Sequence, residues 1–168
     1  MIEEDTQQLV NVRLVDDHPF MIDGIKALLA ESTKFKTVAD TSFPEKVLDI
    51  IRNQPVEILI TDINMPKITG LELTKMVKSQ FPEIKVLALS MHGDKQTVSE
   101  MLDAGIIGYV LKNTGKAELM EALERISTGG MFFSQDVASE LLKPNVQTKP
   151  QVLESEVKLT SRGLKLFS

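Results

Sequence analysis

Between residues 11 and 128 the chain repeats one phrase: a short apolar run, a turn, then a segment whose apolar residues recur every three or four positions. The runs are Val12 to Val15, Thr37 to Ala39, Val56 to Ile60, Val86 to Leu89 and Ile106 to Leu111. Continuous runs of this length, rich in Val, Ile and Leu, suit strands covered on both faces. The intervening segments carry helix spacing: Ile22, Ile25, Leu28 and Leu29, then Val47, Ile50 and Ile51, then Leu73, Met76 and Val77. Val98, Met101 and Leu102 continue the pattern, and Leu119, Leu123 and Ile126 complete it. Pro44 is placed to open the second helix, Pro55 and Pro82 to precede strands, and Gly105 to close the fourth helix. Five βα units in succession predict an α/β fold with a parallel sheet and helices on both faces. Right-handed crossovers then make it an open, doubly wound sheet.

A chain of 168 residues holds one such domain and an appendage. With no cysteine, disulfides, zinc–thiolate sites and cysteine nucleophiles are excluded. No apolar run approaches the roughly 18 residues of a membrane span. The opening Met-Ile-Glu-Glu-Asp is acidic where a signal peptide is basic, so a cytoplasmic location is expected. Residues 1–143 hold 15 Lys and Arg against 22 Asp and Glu, a balance of −7, which repels phosphate backbones. After Gly129-Gly130 the pattern changes. Phe133 to Leu142 reads as a short helix with Ser134 as N-cap and Val137 and Leu141 on one side. The expected organisation is a main domain at 11–128, a linker helix at 129–143, a flexible linker at 144–158 and a further fragment at 159–168.

In open α/β sheets, ligands bind beyond the carboxyl ends of the strands. The residues that end the apolar runs are Asp16 and Asp17, Asp62, Ser90 and Lys112. Each has a plain alternative: Asp17 before His18-Pro19 suits a helix N-cap, and Asp62 in Asp-Ile-Asn-Met-Pro suits a turn. Together, three acids at one edge repel one another and need a reason to be there. A hard divalent cation supplies it, since Mg²⁺ takes one or two carboxylates, a carbonyl and several waters. With an ammonium beside them, the set resembles a phosphoryl-transfer site.

The segments Val15-Asp16-Asp17-His18-Pro19 and Thr61-Asp62-Ile63-Asn64-Met65-Pro66 with Gly70, then Ser90 and Gly108-Tyr109-Val110-Leu111-Lys112, resemble the response-regulator receiver domain. The Asp-Asp-His-Pro and Gly-Tyr-Val-Leu-Lys stretches are more similar to the NarL/FixJ class, whose members usually end in a LuxR-type helix-turn-helix. The resemblance implies a flavodoxin-like (βα)5 fold with five parallel strands in the order 2-1-3-4-5. It also implies that Asp62 accepts a phosphoryl group from a sensor histidine kinase. Mg²⁺ would lie on Asp17, Asp62 and the backbone carbonyl of Asn64, with Asp16 acting through water. Lys112 and Ser90 would bind the phosphoryl oxygens, and Tyr109 would swing inward as Ser90 moves. Asn64 and His92 would flank the group and tune its lifetime, whereas His18 is expected to be structural.

Two departures from that pattern stand out. Asn113 follows Lys112 where many receivers have proline, although the NarL/FixJ class often lacks it. Lys158-Leu159-Thr160-Ser161-Arg162 and Leu164 to Ser168 resemble pieces of a LuxR-type DNA-binding domain with residues missing between them. Nine residues from Thr160 to Ser168 span about 14 Å as a helix, too little for two helices and a turn. No DNA binding is therefore expected of this chain, although a DNA-binding transcription factor describes an intact relative. A Mg²⁺-dependent phosphotransferase or phosphatase enzyme is the other alternative. Dehalogenase-like enzymes use a general acid two residues after the nucleophile, where Asn64 stands and cannot serve. The chain is thus expected to catalyse only its own phosphorylation and dephosphorylation. The apolar stripe Val137, Ala138, Leu141 and Leu142 is expected to pair weakly with a second copy, more strongly when phosphorylated; the alternative is that the helix folds back on its own domain.

Overall fold

The computed structural model describes residues 9–41, 46–54, 56–113 and 115–143. Its elements are β1 (Val10–Val15), α1 (Pro19–Ala30), β2 (Phe35–Thr41), α2 (Val47–Asn53), β3 (Ile58–Asp62) and α3 (Gly70–Gln80). They continue as β4 (Lys85–Ser90), α4 (Lys95–Ala104), β5 (Gly108–Leu111), α5 (Lys116–Ser127), β6 (Phe132–Phe133) and α6 (Gln135–Leu142). The strands are all parallel, in the order β2-β1-β3-β4-β5-β6.

Both sheet faces are covered, which is why the apolar runs are continuous. Ile22, Ile25 and Leu29 of α1 join Leu119, Leu123 and Ile126 of α5 over Leu14, Ile60 and Val110 on one face. Val47 of α2, Leu73 and Val77 of α3, and Val98 and Met101 of α4 pack with Val137 of α6 over Leu59, Ala88 and Tyr109 on the other. Helix boundaries follow local chemistry. Thr69 and Glu72 close a capping box on α3, Asp94 accepts the Thr97 N–H to cap α4, and Gly105 ends α4 at φ 112°, a left-handed geometry suited to glycine.

The sheet has six strands, one more than the five expected. The additional one, β6, lies just before the last helix and takes up Phe133, the first residue of the helix expected from Phe133 to Leu142. There the Phe132 N–H donates to the Ile107 carbonyl at 3.1 Å and the Ser134 N–H to the Tyr109 carbonyl at 3.0 Å, satisfying the outer edge of β5. Ser134 does occupy the N-cap position of α6, but its hydroxyl makes no cap. Its Oγ instead accepts the Leu111 N–H at 3.1 Å. The predicted free stripe on α6 is also corrected. Val137 is fully buried and Leu141 packs on the same core, so the helix folds back in cis and only Leu142, 85% exposed, stands clear. The Pro44 and Pro55 assignments, the flexible linker at 144–158 and the fragment at 159–168 lie outside the described residues.

Candidate phosphoryl-acceptor site

Parallel strands bring their carboxyl ends to one edge, and the register decides which side chains meet there. Val15 pairs with Thr61, so Asp16 and Asp62 emerge side by side. Ser90 pairs with Leu111, so Lys112 follows beside it, its N–H donating to the Ser90 carbonyl at 2.8 Å. Gly70, at the start of α3, is needed for close approach: its N–H donates to the Ile63 carbonyl at 2.7 Å, and a Cβ there would collide with the Asp62 backbone.

The Lys112 ammonium, with its side chain only 6% exposed, lies 3.0 Å from Asp16 Oδ2 and 3.2 Å from Asp62 Oδ1. Asp62 Oδ1 also accepts the Ile63 N–H at 2.8 Å. Burial first, and then the charge on Asp16, push the Asp62 carboxyl up to about 6, against the opposing pull of Lys112 and the Ile63 N–H. The cluster therefore carries more negative charge than one ammonium settles.

Three carboxylate oxygens (Asp16 Oδ2, Asp17 Oδ1 and Asp62 Oδ2) are buried and make no hydrogen bond. Asp16 Oδ2 is within ion-pair distance of Lys112, but that contact does not have hydrogen-bond geometry. Ligand atoms from Asp16, Asp17, His18 and Asp62 all lie within 4.8 Å of one another. Orphaned oxygens gathered in this way fit a hard divalent cation. Asp16, expected to act through water, also has one ligand atom within this group. The cap alternative for Asp17 is not seen: the residue preceding α1 in the N-cap position is His18.

The β4–α4 loop forms a second cluster. Ser90 is buried, and its Oγ accepts the His92 N–H at 3.2 Å. The Tyr109 hydroxyl donates to the His92 carbonyl at 2.6 Å. Tyr109 is fully buried, and burial raises its phenol above the ordinary range. Its ring thus lies inward, the position to which the family resemblance has it swing. His92 and Asn64 have exposed side chains beside the edge. The structure employs His92 chiefly through its backbone, which joins Ser90 to Tyr109.

His18, expected to be structural, lies against the acidic cluster. Asp16 Oδ1 accepts both the His18 N–H and a contact from Nδ1, each at 2.8 Å, and this tight turn folds the imidazole over the carboxylates. Nδ1 then lies 3.1 Å from Asp17 Oδ1, 3.7 Å from Asp62 Oδ2 and 3.4 Å from Lys112 Nζ. The signal for this in the sequence is the direct succession Asp16-Asp17-His18 at a strand end.

A buried acidic edge with an inward lysine, on a doubly wound parallel sheet, defines a class of signalling domain. The family model for the response regulator receiver domain matches residues 12–124, and the chain belongs to that family. It is 32% identical over 143 residues to the transcriptional regulatory protein DegU of Brevibacillus brevis, covering 85% of this chain and 61% of that relative. A LuxR-family two-component response regulator from Aurantimonas sp. SI85-9A1 superposes with a TM-score of 0.76 at 28% identity, over 80% of this chain and 96% of the other. The isolated receiver domain of RcsB from Salmonella enterica serovar Typhimurium, in the presence of the phosphomimetic BeF3⁻, gives 0.74 at 29% identity, over 80% and 99%. The chain thus spans about three fifths of the length of DegU. Among the described residues, no helix is long and apolar enough to cross a membrane.

Proposed function

We propose that Asp62 accepts a phosphoryl group from the phosphohistidine of a sensor kinase and that the β4–α4 loop reads the result. The observation that carries this is the convergence of three unpartnered carboxylate oxygens on one buried ammonium. An oxygen of the ionised Asp62 carboxylate attacks phosphorus, the P–N bond breaks, and the departing imidazole nitrogen keeps the electron pair and takes up a proton. An acyl phosphate remains on Asp62. Lys112 would pair with the phosphoryl oxygens, and Ser90, whose Oγ accepts from His92 and whose side chain also bonds Tyr109, would turn its proton to one of them. Asp17, Asp62 and the Asn64 carbonyl would hold Mg²⁺, with Asp16 beside them through water or directly. Bound there, Mg²⁺ would neutralise charge on the transferring group.

Phosphorylation adds about −1.5 to −2 charges and three acceptor oxygens, which draw Ser90 and Lys112 inward. Ser90 is joined to Tyr109 through His92, so the inward ring is the packing that the phosphoryl group favours. Since α6 is used in cis, we assign phosphorylation-strengthened pairing of two copies to the α4–β5–α5 face. A role in transcription control is supported by the DegU relative, and a cytoplasmic location by the signalling role. The test is intact mass after incubation with acetyl phosphate. The protein should gain one phosphoryl group only with Mg²⁺, and Asp62→Asn should gain none. Labelling of Asp62→Asn at the wild-type rate would overturn the assignment.

A further inference from the structure

We propose that His18 contributes an imidazole nitrogen to the carboxylate cluster, making it a mixed nitrogen–oxygen site that favours nitrogen-accepting divalent cations such as Co²⁺, Ni²⁺ or Zn²⁺ over Mg²⁺. The inference rests on reading the cluster as the domain's Mg²⁺ site. Ligand atoms about 2.1 Å from one ion stand about 3.0 Å apart when adjacent and about 4.2 Å apart when opposite. His18 Nδ1 lies 2.8 Å from Asp16 Oδ1, 3.1 Å from Asp17 Oδ1 and 3.7 Å from Asp62 Oδ2, all close to that range. These spacings to Nδ1 suit atoms that share one ion, with the Lys112 ammonium 3.4 Å from the same nitrogen at the edge of the group. The buried Asp62 side chain, 4% exposed, aims Oδ2, which accepts no hydrogen bond, into the group, whereas the unbonded Asp16 Oδ2 faces the Lys112 ammonium at 3.0 Å.

The geometry acts differently on different ions. Mg²⁺ takes oxygen ligands and gives up its waters reluctantly, so it gains little from an imidazole and must compete with the His18–Asp16 contact for room. Later first-row ions bind imidazole well and convert that contact into two metal bonds. The turn that presents Nδ1 is fixed by the His18 N–H bond to Asp16 and by Pro19 at the first position of α1. The imidazole itself is 61% exposed, so replacing it leaves the core untouched.

Calorimetric titration with CoCl2 and, separately, MgCl2 at one fixed pH tests this on wild type, His18→Ala and Asp62→Asn. The ratio of Co²⁺ to Mg²⁺ affinity should fall about tenfold or more in His18→Ala, while Asp62→Asn weakens both ions. The visible spectrum of bound Co²⁺ should also change in His18→Ala, because a nitrogen ligand is lost. An unchanged ratio and spectrum, with both ions still binding, would overturn the role of His18 alone. Failure of wild type to bind either ion would overturn the cluster reading and this inference together.

Discussion

At the β1–β3 half of the sheet edge, Asp16, Asp17 and Asp62 bury carboxylate oxygens that accept no hydrogen bond. At the β4–β5 half, farther along the same edge, the hydroxyls of Ser90, Tyr109 and Ser134 all have partners. The first half holds an electrostatic conflict that a cation or a phosphoryl group resolves. The second half is packed and hydrogen-bonded, so under the proposed function a pull on Ser90 would change its arrangement as a unit. The proposed charge chemistry and the proposed transmission thus fall at separate places along one edge, joined by Lys112, whose backbone bonds Ser90 while its ammonium faces Asp62.

The largest expected effect breaks the first half. Asp62→Asn should reduce labelling by a small phosphodonor by more than about a hundredfold, whereas Ser90→Ala should slow it by only about tenfold, since one positioning hydrogen bond is lost. Comparable losses from both variants, measured by mass against time, would erase the distinction between acceptor and transmitter.

In the second half, Val137→Ala should cost about 2 kcal/mol by leaving a cavity against Gly93, whose position lies directly under the Val137 side chain. Chemical denaturation reads that loss. Hydrogen exchange should place it in α6 and the β4–α4 loop; loss of protection in α1 instead would refute the separation.

The stored conflict has a pH signature in metal-free protein. The Asp62 carboxyl sits at about 6 in the folded state against an ordinary 3.8, so folding favours its protonated form. Stability from this group is therefore present at low pH and is lost as pH rises through about 6. Asp62→Asn should be more stable than wild type at pH 7.5 by about 1–3 kcal/mol, with the gap closing as pH falls toward about 4. Thermal midpoints in chelator across that range check it, and a gap that widens on acidification would contradict the burial account. The smallest effect belongs to Ser134→Ala, about 1 kcal/mol, because the buried Leu111 N–H loses its acceptor.

The two halves also differ in how plainly the sequence announces them. Strand ends follow from where the Val, Ile and Leu runs stop, so the pattern of residues alone puts Asp16, Asp62, Ser90 and Lys112 at one edge. Gly70 belongs to the motif, and its close approach to Asp62 explains the requirement. By contrast, β6 is two residues long and carries no period, and it exists because β5 has an edge to satisfy. Ser134 has two possible acceptor roles, and the choice depends on the distance to Leu111, 23 residues earlier. His18 likewise reads as an ordinary residue before a helix until the turn at Asp16 carries its ring over the carboxylates. Local pattern reveals which residues reach the edge, but not which side chains meet once there.

The central claim is that Asp62, and not its acidic neighbours, carries the phosphoryl group. Reduction of freshly phosphorylated protein with borohydride converts a phosphorylated aspartate to homoserine, and peptide mass spectrometry then locates it. The account predicts homoserine at position 62 alone, dependent on Mg²⁺. Homoserine at position 16 or 17, or none anywhere despite a gain in intact mass, would contradict it.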